Sequence, residues 1–288
     1  DGLLIFFHLP TKEGGEHLRA QNSEKGDLDA THYKENSQLQ FSLAQDPIAN
    51  YPFQGVENVL DIGCGDGKIT AQIAEKVPNG QVLGIDKSSS MIELAKLSFS
   101  QEIYENLNFE IEDIQRFTTH DTFDLITSFS CLHWIDNQII ALKNIKSLLK
   151  PTGKVVILTF PRCSTFWDPI EFVADSTKWK KYFTKNPRPY HFLNEDDYKK
   201  ITTELGLKIL HIETSSHIAK FKGKKGFEDY VRGWLPFLID LPKFFHDQFL
   251  EEIGDKSLEF VPIDGEGNVN HPYEKIFMIL EHSAPTIS

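Results

Sequence analysis

The chain has 288 residues, 40% of them hydrophobic, with 42 acidic against 30 basic side chains and a net charge of −12. That length buries a sizeable core, and the charge argues against a nucleic-acid groove, which needs clustered Lys and Arg on phosphates. The basic run Lys220-Phe221-Lys222-Gly223-Lys224-Lys225 is too short to alter this. No apolar run approaches the ~20 residues that span a bilayer, so no membrane contact is expected. Three cysteines, Cys64, Cys131 and Cys163, without Cys-x-x-Cys spacing suit a reducing, cytoplasmic setting and give no disulfide framework. The eleven histidines form no His-x-x-x-His pair, so no metal is expected. Monomer and dimer both stay open.

Residues 1–28 mix charge, glycine and a stray apolar patch without helical or strand period, and are expected to be poorly ordered. A single domain is expected over 29–288. A leader helix begins near Asp29 and carries Phe41 and Ala44 before Pro47, with a short helix or turn around 48–53. Alternation follows: strand 58–62, helix 67–77, strand 81–85, helix 89–99, strands 107–111 and 123–128, helix 136–149 and strand 153–160. Such alternation means a parallel sheet with helices on both faces. Pro78-Asn79-Gly80 and Lys150-Pro151-Thr152-Gly153 stop the helices before them. The stretch 161–194, rich in aromatics and proline, is too long for an ordinary connection. A helix over 195–205, a strand over 207–213, helical spacing through 224–253 and a last strand over 275–280 complete the chain. The core is therefore placed at about 55–160, 206–214 and 275–282, and cap elements at 29–54, 161–194 and 215–274.

The chemistry concentrates at Val59-Leu60-Asp61-Ile62-Gly63-Cys64-Gly65-Asp66-Gly67, a buried strand entering a glycine-paved turn that opens a helix. Glycine permits the tight turn and lets a ligand lie against the backbone. Nineteen residues after Gly67, the apolar run 81–85 ends in Asp86, whose carboxylate can accept from both hydroxyls of a ribose. A dinucleotide turn, Gly-x-Gly-x-x-Gly, would place glycine where Lys68 stands, which disfavours NAD and FAD.

The Asp-x-Gly-x-Gly-x-Gly spacing resembles motif I of the class I S-adenosylmethionine-dependent methyltransferases. The resemblance implies an α/β fold: a doubly wound, mostly parallel seven-stranded Rossmann-like sheet closed by an antiparallel hairpin, with a helical cap formed by insertions. It implies S-adenosylmethionine as cofactor, with Gly63, Cys64 and Gly65 along its methionine part. Asp61 would help orient the ammonium, although a turn carboxylate is an equal reading. Asp86 would take the ribose, and Lys87, Ser88 and Met91 would follow the adenine. Asp113 and Ile114 would meet the adenine edge, unless Asp113 only caps the turn before Phe117. Ser128, at the end of the fourth strand, would lie beside the sulfonium with Ser130.

Cys131-Leu132-His133-Trp134, Tyr33 to Gln40, Pro189-Tyr190-His191, Trp234-Leu235-Pro236-Phe237 and His246 to Leu250 are similar to phrases of the juvenile hormone acid and trans-aconitate methyltransferase group. Those enzymes make methyl esters of carboxylic acids. The resemblance implies a small-molecule carboxylic acid as partner, held by the Gln38 amide and the Trp134 indole, with Tyr33 in a leader helix over the cofactor. That helix is expected to close only once cofactor binds. A carboxylate, ionised near pH 7, needs no base; His133 would be a further donor, or a base if the acceptor is a hydroxyl or amine. Tyr190, His191 and Trp234 would line the acceptor pocket, as would Trp167, Phe172 and Phe237. Their number favours an apolar acid over a tricarboxylate, for which only Arg162, Arg188 and Arg232 are available. Methylation of a hydroxyl, amine or carbon, and a non-catalytic S-adenosylmethionine-binding protein, are the alternatives.

Overall fold

A computed structural model of the chain describes residues 38–185 and 188–283. The expectations for residues 1–28 and for Tyr33 lie outside them, as does the side chain of Gln38. Helix α1 (Gln38–Asn50) leads into the alternation β1 (Asn58–Ile62), α2 (Lys68–Lys76), β2 (Gln81–Asp86), α3 (Ser89–Ser98), β3 (Leu107–Ile111), β4 (Phe123–Phe129), α4 (Gln138–Leu148) and β5 (Leu149–Thr159). Then come α5 (Ser164–Ala174), α6 (Glu195–Glu204), β6 (Leu207–Lys222), α7 (Gly223–Trp234), α8 (Phe237–Asp240), α9 (His246–Phe260) and β7 (Asn268–His282).

The strands form one seven-stranded sheet in the order β3-β2-β1-β4-β5-β7-β6, parallel except for β7, which runs antiparallel to β5 and β6. Side chains alternate across a strand, and these strands are apolar on both faces. Val155 and Ile157 of β5 join one core with Leu60, Ala141 and Ile145, while Val156 and Leu158 join the opposite core with Val59, Ala71, Ile73 and Ile92. Helices α1, α2 and α3 cover the second face, and α4 and α6 the first. The chain winds outward from β1 in one direction through β2 and β3 and in the other through β4 and β5. A crevice therefore opens between the carboxyl ends of β1 and β4, where such sheets bind ligands.

Three departures from the sequence reading have physical causes. Helix α1 runs through Pro47, where a break was expected; Leu43, Ala44 and Ile48 are buried on either side of it, and that packing outweighs the missing backbone donor. Strand β5 begins at Leu149 rather than 153. Phe123 pairs with Leu149 and Leu125 with Lys154, so Lys150 to Gly153 survive as an irregularity opposite Asp124. Strands β6 and β7 are longest in error: they pair from Leu207 opposite His282 out to Lys222 opposite Asn268. Beyond the sheet they form a two-stranded ribbon whose Ala219, Phe221 and Val269 enter a third core with α5, α7, α8 and α9. The cap segment 215–274, in which only helices over 224–253 were expected, thus begins and ends in the outer part of a hairpin.

That third core encloses His271, fully buried, its Nε2 2.8 Å from Ser257 Oγ and its ring stacked on Phe227 at 4.6 Å. Burial pushes the imidazole down to about 4. Since the folded value lies below the ordinary one, the neutral ring contributes stability above about pH 6.5 that is lost as pH falls through about 4. Thermal unfolding followed across that range should show a falling midpoint in the native chain and a shallower fall in His271→Phe.

Candidate active site

The turn after β1 carries three left-handed glycines, Gly63 (φ 72°), Gly65 (φ 54°) and Gly67 (φ 81°), a conformation that other residues adopt at a cost. The amides of Gly63 and Cys64 both donate to the carbonyl of Ile85, at 2.8 and 3.1 Å, clipping the turn to the end of β2. There Asp86 accepts from the amide of Gly65 at 3.0 Å and from that of Ser88 at 2.9 Å. Ser88 caps α3 by accepting from the Met91 amide. The Glu112 amide donates to the Asp86 carbonyl at 3.0 Å, so the acidic pair 112–113 begins beside it. The structure thus brings together Gly63, Cys64, Gly65, Asp86 and Ser88.

The remaining residues expected at the cofactor lie at the surface or have neighbours within the protein. Lys87 is exposed, while Met91 and Ile114 are buried in the cores. Asp113 accepts from the Gln115 amide at 2.9 Å, and its carbonyl takes the amides of Arg116 and Phe117: the capping arrangement. Ser128 donates from its hydroxyl to the Ile62 carbonyl at 3.2 Å, tying β4 to β1. Asp61 is buried and accepts from Thr70 and Thr127, each at 2.7 Å, joining β1, α2 and β4.

Past the end of β4, Leu132–Trp134 form a 3-10 turn, and above it lies a cavity of about 110 Å³. Trp134, Phe160, Phe166, Trp167 and Trp234 wall it, with Trp134 centred 5.9 Å from Trp234 and 6.1 Å from Trp167. Its polar lining is sparse: Gln40, Ser130, His133, Cys163, Tyr230 and Tyr273, with exposed Glu274 at the rim. Six buried side-chain polar atoms lack a hydrogen-bond partner among the described residues, and three belong to this lining: Gln40 Oε1, Ser130 Oγ and Trp234 Nε1. Such atoms cost free energy unless a ligand or water satisfies them. Gln40 Nε2 reaches the Tyr230 hydroxyl at 3.5 Å. Trp234 lies near enough that hydroxyl to oppose the upward push that burial gives the phenol, yet outside hydrogen-bond geometry.

His133 is enclosed by Trp134, Phe160 and Phe192, with Nδ1 3.3 Å from Thr159 Oγ1. Burial pushes it down to about 3, so the ring is neutral at physiological pH. Tyr190 stands behind the wall rather than in it: its ring packs on Trp167 at 4.2 Å and its hydroxyl donates to Glu171. His191 latches the 189–192 loop to the 3-10 turn through its amide on the His133 carbonyl, 2.8 Å, while its side chain faces Asp136. Phe172 is exposed under Lys256, and Phe237 belongs to the cap core. All three cap arginines are engaged by carboxylates: Arg162 by Asp168 and Glu171, Arg188 by Asp175, Arg232 by Asp247. Sequence reasoning missed Gln40, Tyr230, Phe160 and Phe166 as lining; only the helical spacing of Tyr230 and Trp234 on α7 pointed to any of them.

Among the described residues no helix is long and apolar enough to cross a membrane, and no group of three or more His, Cys, Asp or Glu is arranged to hold a metal ion.

Burial drives the Asp61 carboxyl up to about 6 against the two threonine hydroxyls that lower it. Its protonated form therefore favours the fold below about pH 3.8, and that contribution is lost as pH rises through about 6. Asp61→Asn keeps an acceptor for one threonine and offers the other a donor. It should stabilise the chain by on the order of 1–2 kcal/mol near pH 8 and by much less near pH 5, read from thermal unfolding without cofactor.

The methyltransferase-domain family matches residues 55–207. The 235L protein of Invertebrate iridescent virus 6, named as a methyltransferase, is 29% identical over 83% of this chain and 87% of its own. Juvenile hormone acid O-methyltransferase of Drosophila melanogaster is 27% identical over 76% and 77%, and trans-aconitate 2-methyltransferase of Shigella dysenteriae 24% over 81% and 89%. Among solved structures, the YcgJ protein of Bacillus subtilis has the same fold, with a TM-score of 0.59 at 15% identity over 85% of this chain and 99% of that one. With more than half its length matched by that family, including the turn, Asp86 and the strand ends that frame the cavity, the chain belongs to the methyltransferase-domain family.

Proposed function

We propose that the protein transfers the methyl group of S-adenosylmethionine to the carboxylate of a small apolar acid. The turn 63–67 is built on three left-handed glycines, the backbone that close approach of a ligand calls for, and Asp86 beside it has the acceptor chemistry that ribose hydroxyls require. These residues, with Ser88 and the 112–113 segment, suit a nucleoside carrying an amino acid, and they would hold it at the carboxyl ends of β1 and β2. Phosphoethanolamine N-methyltransferase 2 of Haemonchus contortus, solved with S-adenosylhomocysteine, shares the fold with a TM-score of 0.58 at 18% identity over 90% of this chain and 58% of that one. Bound S-adenosylmethionine supplies a methyl group activated by its sulfonium.

The observation that carries the acceptor reading is the aromatic cavity with unpartnered polar atoms, no lysine or arginine in its lining, and an imidazole held neutral. An acid with a pKa of about 4 enters as its anion and needs no proton removed. Trp134 and Trp234 bring indole donors to the cavity, and Gln40, whose Nε2 reaches Tyr230 while its Oε1 is without a partner, brings an amide donor once that amide turns over to accept from the Tyr230 hydroxyl; two donors suffice to orient a carboxylate, and orientation can supply several kcal/mol of the barrier. Gln40 lies on the same helix two residues from Gln38, to which the sequence reading gave this part and whose side chain lies outside the described residues. A hydroxyl or amine acceptor would need a base with a pKa near the working pH, and His133 at about 3 is far from it. Two relatives are named for carboxylic acids, one apolar and one a tricarboxylate. With its arginines paired and Glu274 at the rim, this cavity suits the apolar monoacid.

Incubation with methyl-labelled S-adenosylmethionine and decanoate should give a product that releases volatile methanol in alkali. Gln40→Leu and Trp134→Phe should each lower kcat/KM for the acid by about tenfold to a hundredfold, the worth of a hydrogen bond to a charged group, with cofactor affinity unchanged. An alkali-stable product would contradict the reading.

A further inference from the structure

Ser130 combines features that no other described residue shares. Among the described residues it is the only non-glycine with a positive φ, 59°. Its amide donates to the Leu158 carbonyl at 2.8 Å, so β5 pins the backbone in that conformation. Its hydroxyl is buried without a partner and its side chain lines the aromatic cavity. It also joins the two halves of the site, because the next residue, Cys131, packs against the glycine turn: a Cβ added to Gly63 would lie 2.3 Å from Cys131 Sγ. Ser130 therefore stands between the turn that faces the cofactor and the cavity that faces the acceptor. Glycine would adopt this φ without penalty, whereas serine carries a steric cost there, as strained residues at working sites do. That cost is matched by nothing the hydroxyl does within the protein.

We propose that the Ser130 hydroxyl is the donor that fixes the reacting oxygen of the acceptor carboxylate. This rests on the carboxylate reading above. A carboxylate oxygen offers two lone pairs. One forms the new O–CH3 bond as the electron pair of the S–CH3 bond returns to sulfur, leaving a neutral thioether. The other accepts from Ser130 Oγ–H, which keeps its proton throughout. Gln40 and an indole then serve the second oxygen. The hydrogen bond stops the carboxylate from turning its attacking lone pair away, while leaving that pair unoccupied. Ser130 is neutral, so it does this without drawing charge from the nucleophile as a cation would.

The test separates this role from a structural one through opposite signs. Ser130→Gly removes the hydroxyl and relieves the left-handed backbone, so its unfolding midpoint should equal or exceed that of the native chain. Its kcat with decanoate should fall by about tenfold or more, and decanoate should bind more weakly by calorimetry in the presence of S-adenosylhomocysteine, with S-adenosylhomocysteine affinity itself unchanged. Ser130→Asn, which tolerates the conformation and restores a donor, should recover part of kcat. Wild-type turnover and decanoate affinity in Ser130→Gly would overturn the inference while leaving ester formation standing. Failure of the native protein to esterify any of a panel of aliphatic acids, with methylation of decanol or decylamine instead, would overturn both.

Discussion

Gly63 has no room for a side chain because Cys131 occupies the space where its Cβ would lie. This contact holds the end of β1 against the turn that follows β4, and the rest of the site is built around it. On one side the turn is clipped to β2 through the Ile85 carbonyl and the Asp86 carboxylate, which makes the strand end, the turn and the helix cap at Ser88 one rigid frame. On the other side Cys131 begins the 3-10 turn that presents His133 and Trp134 to the cavity. In the proposed reaction the cofactor would lie on the glycine-turn side of this contact and the acceptor on its cavity side, so that the two bound molecules meet there.

The acceptor side is made by the chain's additions to the sheet. The β6–β7 ribbon leaves the sheet and carries Ala219 and Tyr273 to the cavity, α7 brings Tyr230 and Trp234, and α1 brings Leu39 and Gln40. Apart from exposed Glu274 at the rim, no charged side chain among the described residues lines this space. The insertion's arginines are spent on Asp168, Glu171 and Asp175, a network that also anchors Tyr190 behind Trp167. The resulting lining suits the proposed anion, which it would orient through neutral donors, and burial removes His133 from acid–base work in the neutral range.

Much of this was legible in the sequence where one residue type has one physical use. Buried parallel strands read as apolar runs, and glycines spaced one apart after such a run, with an acid at the end of the next, mark the crevice whatever surrounds it. The fold class, the strand ends and the cluster of Gly63, Gly65, Asp86 and Ser88 followed from that. The ribbon did not, because Thr214, Ser215, Ser216 and Lys220 hide the period of a strand whose inner face is only Ala219 and Phe221 at its far end. Tyr190 and His191 were assigned to the cavity from a phrase, and composition cannot tell a wall residue from the one supporting it. Gln40 was invisible for a different reason, and Ser130 was read only as a neighbour of the sulfonium, not as a cavity side chain: a glutamine on a helix and a serine after a strand are ordinary until their neighbours leave an atom unpaired.

The central claim is that the acceptor is already an anion and that the protein only places it. The pH dependence of kcat/KM for decanoate tests this most directly. Placement of a ready-made anion gives a plateau from about pH 6.5 to 9, falling only as the acid itself protonates toward its pKa of about 4 to 5. A tenfold rise per pH step through neutrality, the mark of a base that must first lose its proton, would contradict it.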